Sequence, residues 1–368
     1  MKKVISIILT CMLLTISATA CIPPEKLPET LPEEIAEPLV QDEYLIGGGS
    51  IRLPTPEPIV TGEPLNIVVT IFPIYAWVMQ ILGDSAEFKN ITLLINNRVD
   101  LHSFIPSVSD IAAIATCDIF IHIGGDSDDW VEGVLAQAVN RDMVVMSLMS
   151  VLCEEDLLCV EPIEHDNHGS SCGSHGHHSH DDEHIDEHVW LSLRNAHKFV
   201  EAITETLIQL DPELEKLYRS NSGEYIVELA ELDKMFINVV ELAERDTLLF
   251  ACRFPFRYMF YDYGLRYYAP FSGCSAESEA SFSTIVFLTN KLDELGLPYV
   301  IVTESSDNAI AETIIKNSAG GGQQIVVLDS MQSANEGDRA NGTTYLSIMA
   351  DNLYALTIAL EAGAAIPQ

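Results

Sequence analysis

Eight of the eleven histidines in the 368-residue chain fall between positions 165 and 188: His165, His168, His175, His177, His178, His180, His184 and His188. Asp166, Asp181, Asp182, Glu183, Asp186 and Glu187 are interleaved with them, and Gly and Ser fill the gaps. Neutral imidazole is a preferred donor to borderline metals, and a mobile string of imidazoles offers many two- and three-ligand combinations. Such tracts hold metal loosely, so the composition points to metal without defining a tight site. Within the tract, His184-Ile185-Asp186-Glu187-His188 matches H-x-x-E-H, the inverted zinc-protease pattern, in which two histidines share a helical face and the glutamate is the general base. The Gly, Ser and Asp residues that precede it make a poor helix, and a His/Asp/Glu-rich segment produces this match by composition alone.

A second candidate lies outside the tract. Asp100-Leu101-His102-Ser103-Phe104-Ile105-Pro106-Ser107 follows the strand-like residues 93–95. A histidine in a polar turn, with a carboxylate two residues before it, fits a metal ligand oriented by that acid. Taken alone, it is better read as a hydrogen-bonded loop histidine. The formal net charge of −36 argues against a nucleic-acid partner and is compatible with attracting cations, although exported proteins are commonly acidic.

The elements that must position these residues begin after an export signal. Lys2 and Lys3 precede an uncharged apolar or small stretch from Val4 to Ala20, too short for a stable membrane span. It ends at Cys21 in Ala18-Thr19-Ala20-Cys21, which resembles a bacterial lipobox with Ala18 where that pattern prefers Leu. Residues 21–64 are then acidic and proline-rich, with Gly47-Gly48-Gly49-Ser50 inside, and read as a tether that cannot bury enough apolar area to order itself. The rest is long enough for two domains.

From Asn66 the pattern is α/β. Residues 67–72, 118–122 and 143–146 are short β-branched runs separated by helical periodicity, and residues 248–251, 299–302 and 325–328 repeat that grammar. Alternation of this kind predicts parallel sheets flanked by helices in two lobes, 65–210 and 245–368. Between them, Asp211-Pro212 supplies an N-cap and a first-position proline for a connector helix over 211–244, with Gly223 a possible break. Six cysteines follow Cys21, and proximity in sequence pairs Cys153 with Cys159 and Cys252 with Cys274.

Several motifs in one order resemble the zinc and manganese ABC-transporter substrate-binding lipoproteins, over residues 66 to 361. Asp100-x-His102-x-Phe104-x-Pro106-Ser107 is similar to the family's D-x-H-x-[YF]-x-P-S, and Glu187-His188-Val189-Trp190-Leu191-Ser192 resembles its histidine followed by x-W-L, just after a His-rich loop. Tyr263-Gly264-Leu265, Glu279-Ala280-Ser281, Glu304, Val327-Leu328-Asp329-Ser330-Met331, Gly342-Thr343-Thr344-Tyr345-Leu346 and Asn352-Leu353 continue in family order. The resemblance implies two α/β lobes joined by one long helix, with metal in the cleft between them and His102, His188 and Asp329 as ligands. It implies capture of zinc, with manganese the alternative, for delivery to an ABC permease by a lipid-anchored monomer that catalyses nothing.

The family's third ligand falls on Arg253, which has no lone pair to give a metal. Cys252 as a thiolate, Glu304 or a tract histidine, or a water would then complete the site. Two other readings use the same residues: an exported zinc hydrolase built on His184, Glu187 and His188, and a surface metal sponge or adhesin in which the tract itself acts.

Overall fold

The computed structural model describes residues 64–96, 101–160, 184–271, 280–332 and 336–363. The export signal, Cys21, Asp100, the tract histidines 165–180, Cys172, Cys274, Glu279 and all of the tether before Pro64 lie outside these residues. Chain contacts divide the molecule at Glu57, and Pro58–Gln368 forms one compact unit.

In the first lobe four parallel strands stand in the order β2-β1-β3-β4: β1 Asn66–Val69, β2 Asn90–Leu93, β3 Ile119–His122 and β4 Val144–Ser147. All four side chains of β3 are buried, as expected of a central strand covered on both faces. The covering helices are α1 (Phe72–Leu82), α2 (Val108–Thr116), α3 (Trp130–Leu135), α4 (Leu148–Val151) and α5 (Leu193–Leu210). Two of them start at residues the sequence motifs single out. Ser107 caps α2 in a reciprocal capping box with Asp110, and Ser192 caps α5 by accepting from Asn195 N at 3.0 Å. The motif serines therefore fix where the loops that carry His102 and His188 end.

The connector is α6 (Glu215–Leu242), 28 residues and about 42 Å long. Tyr218, Ser222, Tyr225, Leu229, Leu232, Phe236 and Val239 bury at alternating spacings of four and three, which gives one continuous stripe. Gly223 lies off that stripe and does not break the helix; a Cβ there would meet nothing within 4 Å. Asp211 does not cap. Its side chain instead accepts from Lys89 Nζ and from Tyr218 OH, so a tertiary ion pair outcompetes the local cap.

The second lobe holds two parallel pairs, β5 (Thr247–Leu249) with β6 (Arg266–Tyr268) and β7 (Tyr299–Thr303) with β8 (Gln324–Leu328), joined by a parallel bridge between Phe250 and Ile301. Its helices are α7 (Arg257–Tyr263), α8 (Phe282–Glu294), α9 (Ala309–Asn317), α10 (Glu336–Ala340) and α11 (Tyr345–Ala359). One buried apolar core runs through both lobes; Trp77 of α1 packs on Phe199 of α5 at 5.6 Å and on Tyr345 of α11 at 5.1 Å. No helix among the described residues is long and apolar enough to cross a membrane.

Candidate metal site

His102 follows β2 in a single helical turn, Leu101–Ser103, and His188 opens the turn that leads into α5. Their rings lie side by side, with centroids 5.6 Å apart. Each ring has its Nδ1 held from behind. His188 Nδ1 sits 2.8 Å from Asp186 Oδ1, which also accepts from the His188 backbone N at 2.9 Å. His102 Nδ1 sits 2.8 Å from Ser127 Oγ and 3.1 Å from Glu187 Oε1. An acceptor behind Nδ1 favours the tautomer that carries the proton there, which leaves the lone pair on Nε2 of both rings.

These braces are themselves braced. Glu187 is buried and accepts from Ser127 N at 3.1 Å and from Ser127 Oγ. Asp186 is buried and receives Arg257 Nε of α7 at 3.3 Å on its other oxygen. Burial works to raise the pKa of Asp186, but His188 and Arg257 beside it outweigh burial and hold it below the ordinary carboxylate value. Phe104, the aromatic of the first motif, packs edge-on against Trp130 at 5.6 Å and pins the His102 loop to α3.

The second lobe presents oxygen donors at the ends of its parallel strands, where loops of an open α/β sheet gather ligands. Asp329 follows β8 and Glu304 follows β7. Asn352 of α11 accepts from Asp329 N at 2.7 Å and donates to Asp329 O at 2.8 Å, while Met331 N donates to Asp329 Oδ1 at 2.7 Å. Glu304 takes Ser330 N on one oxygen and Ser330 Oγ on the other, both at 2.9 Å. Burial, with Glu304 close by, pushes the Asp329 carboxyl up to about 7. A divalent cation beside this pair would remove the repulsion.

Trp190 ties the halves together: its indole Nε1 donates to Ser330 O at 3.0 Å, and Tyr345 OH donates to Trp190 O at 2.7 Å. Thus the C-terminal signature residues Tyr345 and Asn352 grip the backbone at Trp190 and at Asp329. Among the described residues no three His, Cys, Asp or Glu side chains are grouped so as to hold a metal ion.

A family model for the zinc-uptake complex component A periplasmic proteins matches residues 67–359. The chain belongs to this family. Among relatives of the zinc-uptake component A family, the chain is 30% identical to the zinc-binding lipoprotein AdcA of Streptococcus pneumoniae over 292 residues, 79% of this chain and 55% of AdcA. The chain thus spans about half the length of that relative. It is 28% identical to the high-affinity zinc uptake system protein ZnuA of Bacillus subtilis, covering 80% of this chain and 87% of ZnuA. Its fold is similar to the crystal structure of the Zn(II)-bound ZnuA-like domain of pneumococcal AdcA, with a TM-score of 0.63 at 28% identity over 81% of this chain and 99% of that one. The metal-dependent lipoprotein YcdH of B. subtilis gives 0.65 at 25% identity, over 80% of this chain and 99% of that one. The α/β fold with parallel sheets flanked by helices is that of these zinc-uptake component A relatives.

Other expectations resolve differently. His184 and His188 do not share a helical face: residues 184–188 are non-helical, His188 is buried, and the His184 side chain is 66% exposed on Asp126 Oδ2 at 2.8 Å. Glu187, the general base of the hydrolase reading, spends both oxygens on Ser127 and faces His102. Cys153 and Cys252 are thiols, while Cys159 is disulfide-bonded to a partner outside the described residues; neither pairing expected from proximity forms. Chain direction explains the first. Cys159 and Ile185 form an antiparallel bridge, and Val160 N donates to His184 O, so residues 159–160 turn toward the far end of the tract, away from Cys153. Cys252 Sγ donates to the Arg253 carbonyl at 3.2 Å, at the end of β5 on the second lobe.

Proposed function

We propose that the chain captures a divalent transition metal, zinc, on the outer side of the cell membrane and delivers it to an ABC importer without catalysing a reaction. The observation that carries this reading is the imidazole pair of His102 and His188, each with Nδ1 held by a buried carboxylate. That is how a protein presets histidines to receive a metal through Nε2. Asp329 supplies the donor from the second lobe, and Glu304, Cys252 or a water completes a roughly tetrahedral set. Two imidazoles favour zinc over manganese, which prefers oxygen donors. The relatives named for zinc binding and zinc uptake support the same choice. Lipid on Cys21 would anchor a monomer to the membrane, and the segment 165–184 would serve as an accessory collector.

Calorimetry on chelator-stripped protein tests this. One tight zinc per chain is expected, lost in His102→Ala and in His188→Ala. Stoichiometric tight binding that is absent from the stripped wild type would end the proposal. Deleting residues 165–184 is expected to remove only weak additional sites, and loss of all binding would favour the metal-sponge reading instead.

A further inference from the structure

Arg257 is the first residue of α7 in the second lobe, only 4% exposed, and it reaches across to a residue of the first lobe, Asp186. The division of labour on that carboxylate is clean. Oδ1 takes the backbone N and Nδ1 of His188, and Oδ2 takes Arg257 Nε. With one oxygen occupied from each side, the carboxylate cannot rotate about its Cβ–Cγ bond without losing an ion pair in a buried place. The next residue of α7 adds a second hold: Tyr258 OH donates to Asp186 O at 2.8 Å and accepts from Leu158 N at 3.1 Å. A helix of the second lobe therefore holds the carboxylate that orients a histidine of the first lobe.

We propose that Arg257 is a positioning residue for the metal site, fixing the tautomer and orientation of His188 through Asp186 and so coupling the second lobe to the affinity of the first. The inference rests on the reading of His188 as a ligand. Removing an outer partner of a metal-binding histidine typically costs about 10- to 100-fold in affinity, and this is the range expected for Arg257→Gln.

Zinc affinity is measured by competition with a chromogenic chelator on the full chain, alongside the imidazole 15N–1H correlation spectrum of the metal-free protein. Arg257→Gln is expected to weaken zinc by at least tenfold and to populate the second tautomer of His188. Arg257→Lys, which keeps a cation in reach, is expected to recover most of the affinity. In the Asp186→Asn background, adding Arg257→Gln is expected to cost less than twofold further, because the path runs through Asp186. Arg266→Gln, in an exposed pair with Asp246 at 2.8 Å, serves as the control and is expected to change nothing. If Arg257→Gln proves unfolded, the comparison is made between Arg257→Lys and Asp186→Asn, both by affinity and by the His188 spectrum. Affinity within twofold of wild type in folded Arg257→Gln, or additive losses in the double variant, would overturn the proposal. No loss in His188→Ala would instead overturn the reading of the site on which it rests.

Discussion

The two halves of the site are built on opposite principles. On the first lobe the proposed donors are imidazole rings, each with an acceptor behind it: Asp186 for His188, Glu187 and Ser127 for His102. On the second lobe the donors are carboxylates, and Asp329 and Glu304 repel each other across a mostly buried gap. The first half costs less to keep ready, because its charges sit one hydrogen bond further out, Asp186 against Arg257 and Glu187 accepting from Ser127. The second half is costly until a cation arrives, because like charges with little water between them raise each other's energy. The contrast gives the halves separate tasks. On the proposed reading the imidazoles supply a preset geometry, and the carboxylates supply attraction that is realised only when metal joins the lobes.

The strongest way to break this comparison is to remove a preset donor. His188→Ala should weaken zinc by more than the roughly 100-fold at which loss of an outer partner tops out, as read by chelator competition. A smaller loss than that of Asp329→Ala would mean that the carboxylate half contributes more to binding than the preset imidazoles.

A buried acid away from the donors provides a reference for the carboxylate half. Asp262 of α7 is pushed up to about 6, by burial first; Ser192, Arg194 and Lys198 pull it down, and Asp233 pushes it further up. Its Oδ2 is buried without a hydrogen-bond partner. Because the folded pKa lies above the unfolded value near 4, the contribution of Asp262 to stability is fully present below pH 4 and is lost as pH rises through 6. At pH 7.5 the ionised form opposes folding by on the order of 3 kcal/mol. Asp262→Asn should accordingly raise the melting temperature at pH 7.5, with the gain shrinking to nothing by pH 4. A gain independent of pH would show that packing, and not charge, decides it.

At the carboxylate half itself, Glu304→Gln keeps an acceptor for Ser330 and removes one charge. The metal-free protein should gain about 1 kcal/mol at neutral pH, a rise of roughly 2 °C, while the extra stability conferred by zinc becomes smaller. If the metal-free protein were instead destabilised, the bonds from Ser330 would outweigh the repulsion, and the contrast between the halves would fail.

How much of this was legible in the sequence follows from how local each feature is. The β-branched runs of β1, β3, β7 and β8 announce themselves, and the stripe on α6 is visible over about six turns. The three-residue β6, starting at exposed Arg266, carries too little apolar signal to be seen. At the edge strand β2 the apolar run draws the eye past its true end at Leu93. His102 and His188 stand out by motif, but the groups that hold them do not. Ser127 lies 25 residues from His102, and Arg257 lies 71 from Asp186; only folding joins them. One signal was available: Asp186 precedes His188 by the same two residues as Asp100 precedes His102. Glu187 was visible only as part of a protease-like string, and its neighbours give it a different job.

The smallest expected effect concerns what lies between the halves. Gly223 sits in the interior of α6, with open space where a Cβ would go and no positive φ to require glycine. Gly223→Ala should therefore stabilise the protein by about 0.5–1 kcal/mol, through helix propensity and a less free unfolded chain. If α6 is a stiff strut and the halves meet by movements elsewhere, zinc affinity should stay within twofold while the melting temperature rises. A gain in stability accompanied by loss of zinc affinity would mean that the helix bends at Gly223 when metal joins the lobes. The glycine would then be retained for that motion, and the two proposed half-sites would be one mechanism hinged at Gly223 of α6.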